Sequence, residues 1–253
     1  MPNFITHSIH GLKVLDLSLN EASNVFLLGC QGADLFFYKD AKFGKMLHED
    51  QSKEFLFYLV KNSKTEIQRL YSMGYACHIT LDGIAHPYIN YRTHTPKTHT
   101  KFELIIDTIL LKKELRKDWN YKFINHLKID GESLEQLADL YIESFKDAFK
   151  MEFDRNIVKK SYSSMIKILN FFHDPNRKKT PLVYLIKWLT FNKIDYTFMI
   201  YPTIDEREFP DPLNLTKKSW IDPLTNVEKN ASFLELLEVA VSEAKKLKNQ
   251  LFQ

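Results

Sequence analysis

His78 and Asp82 stand four residues apart, and so do His99 and Glu103. On a helix, side chains four apart stack on one face, so each pair presents an imidazole and a carboxylate to a single ion. Both pairs lie in CHITLDGIAHPYINYRTHTPKTHTKFELIID, residues 77–107, which holds four of the nine histidines. His86 follows one further step along, about 80° round from His78 on an ideal helix. Pro87 disfavours helical geometry at the residue before it, which predicts that the first helix ends at His86 and turns that ring towards the second pair. A helical hairpin would then give one set of His86, His99 and Glu103, the two-histidine, one-carboxylate pattern that suits zinc. A lone His-x-x-x-Asp is as readily a surface ion pair supporting its helix. Two such pairs around a His-Pro favour a metal.

Further candidates lie upstream: His7 in FITHSIHG, Asp34 in LLGCQGADLFFY and His48 in KMLHED. Taken singly, each reads as an exposed loop residue, although its apolar flanks would make an unpaired polar group costly to bury. Asp107, four after Glu103, is placed to hydrogen-bond a ligand imidazole from behind. His10 and His94 fall off the spacing and read as face or loop residues. His126 and His173 join no constellation. Tyr88, Tyr91 and Phe36 to Tyr38 read first as core and second as walls of a cleft, and Arg92 and Lys97 read as solvated loop residues.

The elements that must position these groups are helical. In SLEQLADLYIESFKDAFK, Leu134, Leu137, Ala138, Tyr141, Phe145, Ala148 and Phe149 mark one face at a 3.6-residue period, with Ser133 and Gln136 as the expected capping box. Ser232 and Glu235 repeat that signal ahead of the stripe Phe233, Leu236, Leu237, Ala240, Ala244 and Leu247. NIVKKSYSSMIKILNFF and TPLVYLIKWLTF read as two more helices around the loop DPNRKK, with Pro181 in a first turn. LHEDQSKEFLFYLVKNS and KTEIQRLYSMGYACHITLDGIAH also read as helices, and GCQGADLFFYKD as a short loop. Residues 201–231, with Pro202, Pro210, Pro212 and Pro223, predict a long irregular excursion over the surface. Strand alternation is rare. The expectation is an all-α protein, most simply a single domain over 1–253, with the ligands in 1–110 and the rest completing the helices.

Composition narrows the function classes. The seven glycines end at Gly131 and include no GxGxxG or GxxxxGK phosphate loop. Net charge is +3 with lysines spread along the chain, so charge alone does not argue for nucleic acid. No apolar run of about 18 residues and no signal-like start are seen, which predicts a cytoplasmic protein whose Cys30 and Cys77 remain buried thiols.

The series His7, Asp34, His48, His78–Asp82, His86, His99–Glu103 resembles the ligands of the bacterial zinc-dependent phospholipase C family, whose fold fungal single-strand nucleases share. The words ITHSIHG, LLGCQGADLFFY, MLHED, MGYACHITLDGIAHPYINY and HTKFELIID carry the likeness over residues 4–110, and SWIDPLTNVEKNASFLELLEVA carries it faintly beyond. The resemblance implies a multi-helix bundle with the metal site between helices. It implies one zinc on His48, His78 and Asp82, with Asp34 as a further ligand or as the catalytic base. It implies a second zinc on His86, His99 and Glu103. A third zinc is held in secreted members by the equivalents of His7 and Asp82 and by an amino-terminal tryptophan; this chain departs from that pattern in beginning Met1-Pro2, so the resemblance implies two zinc ions and leaves the third open.

The implied activity is phosphodiester hydrolysis by metal-activated water, as in a phospholipase C. The alternatives are a single-strand nuclease or nucleotide phosphoesterase on the same site, and a non-catalytic metal-binding protein. Manganese or iron suit such N/O sites almost as well as zinc. The expected partner is a phosphodiester, either a phospholipid headgroup or a nucleotide. No transmembrane segment is expected, and transient contact with a membrane surface is compatible with the reading.

Overall fold

The computed structural model describes residues 4–48, 52–200 and 208–252. The chain opens with α1 (Phe4–Leu15) and the short α2 (Asn24–Gly29), followed by a 3-10 helix, Gly32–Tyr38. Next come α3 (Ala41–His48), α4 (Ser52–Asn62), α5 (Glu66–Arg92) and α6 (Pro96–Leu115). A 3-10 helix at Phe123–Leu127 leads into α7 (Gly131–Phe149), α8 (Arg155–Phe172) and α9 (Thr180–Leu189). A 3-10 turn, Thr197–Met199, precedes β1 (Trp220–Ile221) and β2 (Glu228–Lys229), and α10 (Phe233–Leu251) completes the fold. The two strands pair antiparallel over two residues each. The protein is therefore all-α, as the periodicity predicted.

α5 is the axis of the molecule. It starts at a capping box in which Thr65 accepts from the Gln68 amide and the Gln68 side chain accepts from the Thr65 amide. α2 and α10 pack along it. α2 comes so close that a β-carbon on Gly74 would lie 2.3 Å from the Phe26 carbonyl oxygen, so only glycine fits there. α5 also continues through Pro87 to Arg92, which corrects the predicted end at His86. A proline inside a helix costs about 3 kcal/mol. The turn that follows offsets this by burying Tyr88 and Ile89 completely, with the Tyr88 ring 5.4 Å from Trp220 and 6.1 Å from Phe102.

On the other side of the molecule, α7 buries Leu137, Ala138, Tyr141 and Phe145, the centre of its predicted stripe. Phe145 stacks on Phe153 at 4.1 Å and meets Phe55 and Phe43 edge-on. The helix starts earlier than its sequence suggested. Asp130, not Ser133, is the N-cap, and its carboxylate takes the Ser133 amide at 2.7 Å. The Ser232–Glu235 box of α10 forms as expected. LHEDQSKEFLFYLVKNS supplies the end of α3 and all of α4, with residues 49–51 outside the described residues.

Three other expectations change. GCQGADLFFYKD is a buried 3-10 helix rather than a loop. FITHSIHG, where His7 taken singly reads as an exposed loop residue, forms the buried helix α1. Residues 208–231 are irregular but do not stay on the surface: Phe209, Leu213 and Trp220 are buried, and the Trp220 indole donates to the Ala231 carbonyl at 3.0 Å. Pro202, in 201–207, lies outside the described residues. Cys30 and Cys77 are both buried and unbridged.

Candidate metal centre

Five elements converge on one buried cluster of imidazoles and carboxylates. α5 contributes His78, Asp82 and His86 from three successive turns of one face, and α6 contributes His99 and Glu103. α1 brings His7, the 3-10 helix Gly32–Tyr38 brings Asp34, and α3 ends at His48. All eight predicted residues thus meet in one place.

Asp82 is the hub. Its Oδ1 lies 3.2 Å from His7 Nε2 and 3.2 Å from His86 Nδ1, and its Oδ2 lies 3.2 Å from His78 Nε2 and 3.6 Å from His48 Nε2. Asp34 Oδ1 reaches His48 Nε2 at 3.0 Å. Glu103 Oε1 lies 3.1 Å from His99 Nε2 and 3.4 Å from His86 Nε2. His86 therefore does not turn away from Asp82, as Pro87 suggested. The unbroken helix keeps one ring nitrogen on Asp82 while the other faces Glu103.

These donor atoms fall into three sets, each within 4.8 Å: His48, His78 and Asp82; His86, His99 and Glu103; and His7, Asp34 and His78. The first two are the sets expected from the spacing and the resemblance. The donor chemistry fits a cation. Among the described residues, both ring nitrogens of the buried His78 lack a well-aligned hydrogen-bond partner, although its Nε2 lies 3.2 Å from an Asp82 oxygen. His7 Nδ1 is likewise buried and unpartnered. Lone pairs that converge without a proton between them are what a zinc ion would satisfy. His48 Nδ1 sits 2.7 Å from the Gly44 carbonyl, so that nitrogen carries a proton and Nε2 is the one that faces Asp34 and Asp82.

Burial and mutual charge set the protonation states. Burial alone would raise the Asp34 carboxyl, but the hydrogen bond from His48 wins and holds it below the ordinary range. Asp82 and Glu103 are also driven well below, against burial, by the histidines around them. His48, in return, is raised to about 9 and His86 is raised well above its usual value, both against burial, by the same carboxylates. His78 differs: burial lowers it to about 4, so it is neutral and available as a ligand.

His48, His86 and His99 face a cleft of about 730 Å³ that Asp34, Phe37, Asn90, Thr93 and Glu103 also line. His7 and His78 are buried and are not among its lining residues. Of the aromatics weighed as cleft walls, Phe37 alone lines it, 5.1 Å from the His48 ring. Phe36, Tyr38 and Tyr88 are core and Tyr91 is exposed. His94 is an exposed residue of the α5–α6 loop at the cleft's edge. Arg92 is not a solvated loop residue, since it closes α5 and donates to the carbonyls of Pro210 and Asp211; Lys97 is exposed as read, but in the first turn of α6, where it pairs with Asp195.

Two supports escaped the spacing arguments. Gly32 has φ +50°, and a β-carbon there would lie 2.1 Å from the His78 ring. Glycine is therefore required both for the turn and for the approach of the Asp34 helix to α5. Asp107 does not bond an imidazole. It accepts from the Ile5 and Thr6 amides at 3.2 and 2.8 Å and from the Thr6 hydroxyl at 2.6 Å, tying the start of α1, and with it His7, to α6.

The family model for zinc-dependent phospholipase C matches residues 1–172. The chain belongs to that family. The matched span runs to the end of α8 and takes in all eight clustered residues, whereas α9, the irregular segment and α10 lie beyond it. No curated protein and no solved structure matches the chain. No helix among the described residues is long and apolar enough to cross a membrane.

Proposed function

We propose that this family member hydrolyses phosphodiesters, with a phospholipid headgroup as the favoured substrate, at a zinc centre held by His7, Asp34, His48, His78, Asp82, His86, His99 and Glu103. The observation that carries the reading is Asp82, which touches histidines of all three donor sets from one carboxylate. His48, His78 and Asp82, with Asp34, would hold one ion, and His86, His99 and Glu103 a second. His7 and Asp82 would contribute to a third, whose remaining ligand in secreted members corresponds to an amino terminus outside the described residues here. Bound zinc would supply Lewis-acid polarisation of a phosphoryl oxygen and a lowered pKa for water.

The chain's own groups do the rest. Asp34 is ionised at neutral pH and stands at the cleft wall beside His48, placed to take the proton from a water attacking phosphorus. The Gly44 carbonyl fixes the His48 tautomer, so the ring presents one defined nitrogen. Phe37 packs against the His48 ring, 5.1 Å between centroids, as an apolar wall of the cleft. The continuous core running from α1 through α10 supports reading 1–253 as one unit.

The test is a panel of phosphatidylcholine, bis-nitrophenyl phosphate and single-stranded DNA, run with wild type and His78→Ala. Zinc per chain is measured on both. The expected result is about two or more zinc ions in wild type, and turnover that falls at least about 100-fold in the variant. Cleavage of DNA with phosphatidylcholine spared would move the substrate to nucleic acid. Undiminished activity in His78→Ala would sink the metal mechanism, and zinc binding without turnover of any diester would leave a metal-binding protein.

A further inference from the structure

α9 is inverted relative to an ordinary surface helix. A surface helix turns its apolar stripe inward and its charges outward. α9 buries only Val183, while Leu182, Tyr184, Leu185, Trp188 and Leu189 face solvent. The turn beyond it adds Phe191, 87% exposed, with Ile194 and Tyr196. Trp188 is itself 72% exposed. A soluble protein rarely leaves so large a contiguous apolar surface open unless something covers it.

The charges beside this face identify the occupant. Between Asp174 and Asp195 the sequence holds five basic residues, Arg177, Lys178, Lys179, Lys187 and Lys193, and no acidic one; Lys179 is tied to the Asn170 and Phe171 carbonyls and Lys187 to Asp195, while Lys178 and Lys193 are exposed. Exposed aromatics and leucines bordered by lysine and arginine match a headgroup layer, where rings sit at the interface and cations meet anionic lipid. At ten residues α9 is far too short to span a bilayer and suits lying along its surface. The face also adjoins the cleft. Asp195 pairs with Lys187 at 3.1 Å and with Lys97 in the first turn of α6, whose neighbours Thr95 and Pro96 line the cleft.

We propose that α9 and the turn through Tyr196 dock the protein on an anionic phospholipid surface, beside the mouth of the metal centre. This deepens the reading of the site as a lipid hydrolase and rests on it for why the face borders the cleft. The segment lies beyond the family-matched residues.

The experiment sediments the zinc-loaded full chain with vesicles of phosphatidylcholine alone and of equimolar phosphatidylcholine and phosphatidylglycerol. Wild type is expected to sediment with the anionic vesicles and to be partly released by salt. W188S/F191S is expected to lower that binding by at least about tenfold, and K178E/K193E by several-fold. Both variants change exposed residues and are expected to keep the melting curve and the turnover of soluble bis-nitrophenyl phosphate. Wild type remaining in the supernatant with both vesicle types would overturn the proposal, and so would variants that bind as tightly as wild type. A self-association that W188S/F191S abolishes, without vesicle binding, would assign the face to a second copy instead and also overturn it. Vesicle binding without turnover of any diester would retire the hydrolase reading and leave the docking surface standing.

Discussion

His10 lies one turn beyond His7, and α1 buries it completely. Neither ring nitrogen makes a well-aligned hydrogen bond, and burial lowers its pKa to about 4 despite the carbonyls of Ala240 and Cys77 nearby. The sign of the consequence follows from that depression. Between about 4 and the unfolded value of 6.5 the unfolded chain binds the proton and the folded chain does not, so stability rises with pH across the window and is lost as pH falls through it. The full effect is roughly 3 kcal/mol. Metal-free His10→Leu should therefore lose less stability than metal-free wild type between pH 7 and pH 4.5, compared by urea denaturation; parallel curves would remove His10 as the cause. Gly32 makes a second residue-scale case. A methyl there must adopt a left-handed φ and displace the His78 ring, so Gly32→Ala should cost about 2–3 kcal/mol and weaken zinc binding as well. Lost stability with unchanged zinc affinity would reduce Gly32 to a packing role.

At the scale of elements, one carboxylate ties the start of α1 to α6. Asp107 takes two amides and a hydroxyl from the start of α1, and burial pushes its carboxyl up to about 7 while those donors pull it back. Asp107→Ala would leave those donors buried without an acceptor, at a cost of about 2–4 kcal/mol. Amide exchange should then quicken in α1 ahead of α7, with less zinc bound per chain, whereas uniform exchange across the protein would show only global loosening. The same helix shows where sequence reading reached its limit. The clamps were legible because residues four apart share a face, and Ser232–Glu235 because a cap is a local exchange of hydrogen bonds. α1 was not, since it buries every residue from Ile5 to Leu12 and so carries no amphipathic period. His86 was misdirected because the local cost of Pro87 is outweighed by the packing of Tyr88 against Trp220, which lies far along the chain. The family words placed Asp34 and His48 in the series, but the 3-10 turn that delivers Asp34 depends on contact with His78 and has no local signature.

Across the whole molecule, the cluster sits where α1, α3, α5, α6 and the Gly32–Tyr38 helix meet, and the aromatic packing of α4, α7 and Phe153 reaches two of these elements through Phe36 and Phe43. Bound metal would tie five elements together, while α7, which gives no ligand, keeps its own aromatic partners Phe55, Phe43 and Phe153. Ligands that bind only the folded chain stabilise it by an amount set by their concentration relative to Kd, about 4 kcal/mol at a thousandfold excess. For a chain of this length each kcal/mol moves Tm by roughly 2–4 °C, so removing zinc with a chelator should lower Tm by about 10 °C or more, and adding zinc back should restore it. Because the two regions differ in dependence, the loss should be uneven. Near-ultraviolet signal from the site-side aromatics should fade before helical signal does, and amide protection should persist longest in α7. Scanning calorimetry with and without chelator reads the first effect and hydrogen exchange the second. Superimposable melting curves would mean that the cluster is held by its own carboxylate–histidine pairs and that metal plays no part in joining the five elements.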